Sequence, residues 1–261
     1  MERILDGWHS PSLNKHMEIV RYGHYGFALL LLPTAAADYL EYERFHMIDA
    51  IAPIIDSGKC KVFSVNSINN ESWLNKKMHP PHKGIRHNQF NAYIYNEVIP
   101  YIKTHTSWDT PIVISGASLG ALHSANLFFK RPDLIDGVIA MSGDYDLQSY
   151  TDGHYDEQVY FNSPMAYLAN LNDHHHLPLL RQKKHIHILT GSGNYESPDA
   201  SRRLSHLLNS KGNDNSLRII LLFELVTSSV QAILTISSEL GLTSKCKGGL
   251  ATVSDGVASG L

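Results

Sequence analysis

Apolar and polar positions switch between two periods along the first two hundred residues. Residues 17–22 and 27–32 are short, mostly apolar runs separated by Gly23-His-Tyr-Gly26, the length and bounding expected of strands. Residues 45–55 place Met47, Ile48, Ile51 and Ile55 at helical spacing and stop at Ser57-Gly58, as a helix does. A strand-like run follows at 61–65, then a polar and aromatic loop over 66–87. The helix-like stretch 90–102 carries Phe90, Tyr93, Ile94 and Val98 on one face, and Pro100 is expected to kink or end it. Apolar runs at 112–114, 137–141 and 185–190 alternate with helix-like segments at 121–130 and 199–210, the second closing at Lys211-Gly212. Residues 143–173 read as a long loop.

This alternation predicts an α/β fold on a largely parallel sheet with helices on both faces. No repeat or low-complexity linker divides it, so residues 1–212 are expected to form one domain. From residue 213 the texture changes. A final strand is expected at 217–223. Beyond it the chain is rich in Ser, Thr, Gly, Ala and Val without an aromatic residue, so 213–261 reads as a divergent segment ending in a poorly ordered tail.

Composition narrows the function classes. With 43% hydrophobic and 18% charged residues the chain has material for one substantial core. A net charge of −3 offers no basic face to nucleic acid. Cys60 and Cys246 are the only cysteines, which excludes a disulfide framework and a cysteine-based metal site. The N-terminal residues lack a secretory apolar run, and 27–33 is too short to span a bilayer, so a cytoplasmic location is expected and no membrane partner. Sixteen histidines invite a metal site. Consecutive His174, His175 and His176 cannot all face one centre, and His185 and His187 lack a third ligand, so no metal or other cofactor is expected.

The candidate chemistry lies at Gly116-Ala-Ser-Leu-Gly120. A buried-strand run precedes it and a helix-like run follows, the context in which Gly-x-Ser-x-Gly acts as a nucleophile elbow. Ser118 is therefore the candidate nucleophile. A serine hydroxyl is a weak nucleophile near neutral pH and needs a base, an acid orienting that base, and donors for an oxyanion. The acid is sought after the strand at 185–190, where Glu196 is favoured over Asp199; either could instead be an acidic residue stabilising a helix start. The amide of Leu119 is one candidate oxyanion donor. The second is sought in the small-residue loop 33–39, with Ala35 chosen over Thr34 and Ala36. His123 reads as a packing or surface residue, while Trp73, His87 and the Tyr160-Phe-Asn-Ser163 loop are candidates to shape a pocket.

Six segments together resemble a known family: Trp8-His-Ser-Pro-Ser-Leu13, Pro33-Thr-Ala-Ala-Ala-Asp-Tyr-Leu-Glu-Tyr42, Asn70-Glu-Ser-Trp73, Gly116-Ala-Ser-Leu-Gly120, Asp156-Glu-Gln-Val-Tyr-Phe-Asn-Ser-Pro164 and Gly191-Ser-Gly-Asn-Tyr-Glu196. The chain resembles the Putative esterase family of α/β-hydrolases, related to esterase D and the mycolyltransferases, from about residue 8 to 212. The resemblance implies an α/β-hydrolase fold and a serine esterase acting on a small-molecule ester, with Ser118 as nucleophile, Glu196 as acid, and Leu119 and Ala35 as oxyanion donors. An acyltransferase using the same residues and a homo-oligomer both stay open. The resemblance also implies a triad histidine after the Lys211-Gly212 helix end. Here that stretch has neither His nor Trp, and no histidine follows His206. A foreign C-terminal sequence, a divergence that abolished catalysis, and a base supplied from elsewhere all fit this departure. His206 is expected to point away from Ser118.

Overall fold

Strand order explains why the continuous apolar runs dominate. In the computed structural model, which describes residues 1–193, 196–220 and 225–241, eight strands form one sheet: β1 (Arg3–Ser10), β2 (Lys15–Tyr22), β3 (Phe27–Leu32), β4 (Cys60–Val65), β5 (Ile112–Ala117), β6 (Gly137–Met141), β7 (His185–Gly191) and β8 (Ser216–Ile220). Their order is β1-β2-β4-β3-β5-β6-β7-β8. β2 pairs antiparallel with β1 and β4, and every other pair is parallel. Strands buried on both faces need no polar alternation. β3 shows this: Ala28, Leu30 and Leu32 join one core, and Phe27, Leu29 and Leu31 join the other.

Ten helices complete the described fold: α1 (Glu41–Arg44), α2 (Met47–Asp56), α3 (Pro80–Tyr93), α4 (Ile99–Thr104), α5 (Leu119–Lys130), α6 (Glu157–Tyr160), α7 (Pro164–Asn170), α8 (His176–Arg181), α9 (Pro198–Ser210) and α10 (Leu225–Glu239). Residues of α3, α4, α5, α7 and α9 fill the first core, and those of α2 and α10 the second. This is the α/β-hydrolase fold.

The loop expected over 66–87 ends in the first turns of α3, and the loop expected over 143–173 carries α6 and α7; three further segments depart from the pattern-based expectation. β1 escaped notice because its side chains are mostly exposed or half-buried, so it carries little apolar signal. Pro100 neither ends nor breaks its helix. A π-turn at Ile94–Val98 joins α3 to α4, and a wider turn just before a proline relieves the missing donor and the ring clash.

The third departure is C-terminal. Instead of an irregular tail, residues 225–239 form α10, whose Ala232, Ile233 and Ile236 are buried beside α2 and β7. Ala, Val, Ile and Leu at helical spacing are a core face here, whereas composition alone made them look like filler. The expected strand is present as 216–220. Residues 221–223 and the segment 242–261 lie outside the described residues.

Candidate active site

Ser118 joins β5 to α5 with φ 53° and ψ −118°. A positive φ is costly for a residue with a Cβ, and the surroundings hold it there. The Ser118 N–H donates to Met141 O on the adjacent strand at 2.9 Å, and Ser118 O accepts from Ala121 N–H at 3.0 Å, opening α5. The flanking glycines are required by close approach. A Cβ on Gly120 would lie 2.5 Å from Leu32 O and 2.7 Å from Pro33 O, and one on Gly116 would strike the Gly120 carbonyl. Ser118 itself is exposed at the carboxyl end of the sheet, where α/β folds place their ligands.

The residues of the two candidate oxyanion amides meet in one side-chain cluster. Leu119 opens α5, so its N–H lacks an intrahelical acceptor. Its side chain packs in a small cluster with Trp73, Leu122, Leu147 and Val159, against which Ala35 also packs. Residue 34 is excluded as a donor: Thr34 N–H donates to Glu41 Oε2 at 2.7 Å, and its hydroxyl donates to Glu41 Oε1. Ala35 N–H has no hydrogen-bond partner among the described residues.

A buried relay orients that amide. Asn69 Nδ2 donates to Thr34 O at 3.1 Å, and His123 Nε2 lies 2.8 Å from Asn69 Oδ1. Because the Asn69 amide nitrogen is already a donor, its oxygen must accept, so His123 carries its proton on Nε2. In a planar trans peptide, a carbonyl held on one side turns the following N–H to the other. Asn69 and His123 thereby fix the direction of the Ala35 amide from the same helix that carries Ser118. Burial pushes the His123 imidazole down to about 3, so it stays neutral. His87 stacks on it with ring centroids 4.6 Å apart, and desolvation likewise holds His87 well below the ordinary range.

Neither Glu41 nor Asn69 stood out in the sequence, because each acts on a backbone group through a loop and belongs to no periodic pattern. His123, expected to pack or face solvent, is a buried hydrogen-bonding residue. Of the residues expected to shape a pocket, Trp73 and His87 are buried, and the 160–163 loop is held in place through Asn162. Asn162 Oδ1 accepts from Asn91 and Asn126, both at 2.9 Å, and its Nδ2 donates to Asn88 Oδ1 at 2.9 Å. That network ties α3 and α5 to the chain just before α7.

Glu196 follows β7 and folds back over its end: the Cγ and carboxyl carbon lie within 3.0 Å of where a Cβ on Gly191 would stand. Its Oε2 is buried and has no hydrogen-bond partner among the described residues. Asp199, the alternative acid, instead pairs with Arg202 at 2.6 Å on the exposed first turn of α9.

No described imidazole is hydrogen-bonded to the Ser118 hydroxyl. His206 is exposed halfway along α9. His185 and His187 occupy the start of β7, remote from Gly191 at its end, and His187 Nδ1 engages Ser216 Oγ at 2.7 Å.

A cavity of about 360 Å³ opens between Thr34, Tyr42, Phe45, Met47, Ala117 and Met141. Its walls are apolar, and it adjoins both the candidate oxyanion loop and the residue before Ser118. A larger hollow of about 570 Å³ beside Pro111, Asp136 and His185 lies at the opposite, amino end of the parallel strands, away from this chemistry.

The sequence profile of the family described as Putative esterase matches residues 34–215. The chain belongs to that family. Among solved structures, a ferulic acid esterase superposes with TM-score 0.70 at 16% identity, covering 91% of this chain and 98% of its own. An S-formylglutathione hydrolase from Staphylococcus aureus superposes at 0.63 with 14% identity, covering 92% and 96%. Mycobacterium tuberculosis MPT51 gives 0.62 at 13% identity, with 89% and 98% covered. At these identities the likeness is one of fold, and the esterase assignment rests on the family match. No curated protein matches the chain. Among the described residues no helix is long and apolar enough to cross a membrane.

Proposed function

We propose that the protein is a serine carboxylesterase acting on a small-molecule ester with an apolar acyl group. The observation that carries this reading is Ser118, exposed at a positive φ between β5 and α5. The Ser118 hydroxyl attacks the ester carbonyl, the Leu119 and Ala35 amides hold the resulting oxyanion, and collapse releases the alcohol and leaves an acyl-enzyme for water to hydrolyse. The acyl chain occupies the cavity between Thr34 and Ala117, and Glu196 is the carboxylate that orients the base. Stopped-flow hydrolysis of a short-chain p-nitrophenyl ester tests this. A burst or turnover lost in Ser118→Ala is expected, and equal background rates for the two proteins would exclude it.

A second reading, a hydrolase-derived binding protein without turnover, is favoured by one observation: no imidazole engages Ser118. Loss of the histidine from a Ser-His-Asp site lowers turnover by about a millionfold, while binding and the oxyanion hole retain roughly 10³–10⁴-fold over water. Equal rates combined with saturable ester binding would select it.

A further inference from the structure

The apolar cavity beside Ser118 has no side-chain hydrogen-bond donor to spare. Two of its lining residues are chain neighbours of the site, since Ala117 precedes Ser118 and Thr34 precedes Ala35. Each hydroxyl in the wall is already engaged. The Thr34 hydroxyl donates to Glu41 Oε1, the Tyr42 hydroxyl donates to Leu32 O at 2.8 Å, and Ser229 Oγ donates to Met141 Sδ at 2.9 Å. An oxygen carried into this space on an acyl chain would leave water and meet no side-chain donor, which is unfavourable. A methylene entering the same space gains by leaving water.

Size and wall texture narrow the chain further. The cavity measures about 360 Å³, and one water-sized group takes roughly 30 Å³. An acetyl methyl therefore leaves most of it empty, whereas a chain of about six carbons occupies roughly half. Met47 and Met141 line it as buried, unbranched side chains that adapt to the shape of an occupant. Phe45 is different. It is 73% exposed, while the other lining residues are buried or half-buried. It closes α1, and His46 at φ 58° opens α2, so the ring stands on a corner at the solvent side of the cavity. A phenyl ring in water gains by covering an alkyl chain there.

We propose that this cavity selects esters of saturated alkyl acids about six carbons long, and that Phe45 covers the chain and sets the length preference. The inference rests on the esterase reading above. A carbonyl held at Ser118 and the Ala35 amide delivers its chain to a wall that begins at Ala117 and Thr34. Acetyl groups are too short to use that wall. Acyl groups with an oxygen along the chain are rejected, because desolvating the oxygen is not compensated by any donor.

The test compares kcat/KM of the full chain on p-nitrophenyl acetate, butyrate and hexanoate, and on the 4-methoxybutanoate, which puts an ether oxygen in place of one hexanoate methylene. The Ser118→Ala rate is subtracted throughout. Each buried methylene is worth up to about fourfold, so a rise of about tenfold or more from acetate to hexanoate is expected. The ether isostere should be about tenfold slower than hexanoate. Phe45→Ala, at an exposed position, should lower the hexanoate-to-acetate ratio about threefold or more, and Met47→Trp, which fills the cavity, should lower it further. A Ser118-dependent rate that is flat with chain length, equal for hexanoate and its isostere, or unchanged in ratio by Phe45→Ala would overturn the proposal and keep the esterase. Methionine methyl NMR of the Ser118→Ala protein, titrated with ethyl hexanoate and ethyl 4-methoxybutanoate, separates the two levels. Saturable shifts of Met47 and Met141 with the first ester only, without Ser118-dependent turnover, keep the alkyl pocket and remove the esterase; neither shifts nor turnover removes both.

Discussion

His123 Nε2 and Asn69 Oδ1 meet 2.8 Å apart inside the protein, so the helix that begins at Ser118 also holds the loop that presents the Ala35 amide. Both residues are almost fully buried. Removing either strands polar groups of the other: Asn69→Ala leaves the His123 N–H and the Thr34 carbonyl unpaired. Each alanine substitution is expected to cost about 1–3 kcal/mol in urea unfolding. The double variant should lose less than the sum, with a coupling of about 0.5–3 kcal/mol. Additive losses would mean that the two side chains do not act through one another.

Ser118 itself predicts an inverted ranking of small substitutions. Its positive φ costs a residue with a Cβ about 1–3 kcal/mol, while glycine pays only its larger unfolded-state entropy. Ser118→Gly is therefore expected to be more stable than Ser118→Ala by about 1 kcal/mol. Comparing urea midpoints of the two variants checks it, and equal midpoints would indicate an unstrained turn.

Gly120→Ala should behave in the opposite way. Its Cβ would enter the space of the Leu32 and Pro33 carbonyl oxygens, which are backbone and cannot swing aside. A loss of about 1–3 kcal/mol is expected, visible as a lowered thermal midpoint.

Acid should destabilise the fold before most carboxylates titrate. Burial pushes His187 down to about 4 and His123 to about 3, against about 6.5 when unfolded. The unfolded chain therefore binds more protons between these values, so this stability is complete above pH 6.5 and is lost as pH falls toward 4. Urea midpoints should decline over that window, and His187→Gln should flatten the decline. An identical slope in the variant would assign the proton uptake elsewhere.

The C-terminal helix should behave as core. Ile236 is fully buried, and Ile236→Ala is expected to cost about 2–5 kcal/mol. A neutral effect would return α10 to the irregular tail that composition suggests.

Legibility followed the length scale of the signal. The parallel strands and main helices were readable because each buries a continuous run or a periodic face, a property local to ten or so residues. Ser118 and its glycines were readable for the same reason: strand, turn and helix are contiguous. β1 and α10 were not, since an exposed edge strand carries little apolar signal and a Ser- and Thr-rich helix resembles a linker until its Ile233 and Ile236 find α2 and β7.

The amino-acid sequence by itself determined the α/β class, the family, the candidate nucleophile, and the absence of any histidine beyond His206. Each of these is written in neighbouring residues or in a residue count. Only the tertiary structure decided which groups around Ser118 are committed and which are free. Glu41 takes the Thr34 amide, Asn69 with His123 behind it holds the Thr34 carbonyl, and Glu196 Oε2 is buried without a donor among the described residues. Hydrogen bonds that cross loops, between residues 7 to 54 positions apart, leave no period in the chain; they exist only once the fold has brought those loops together.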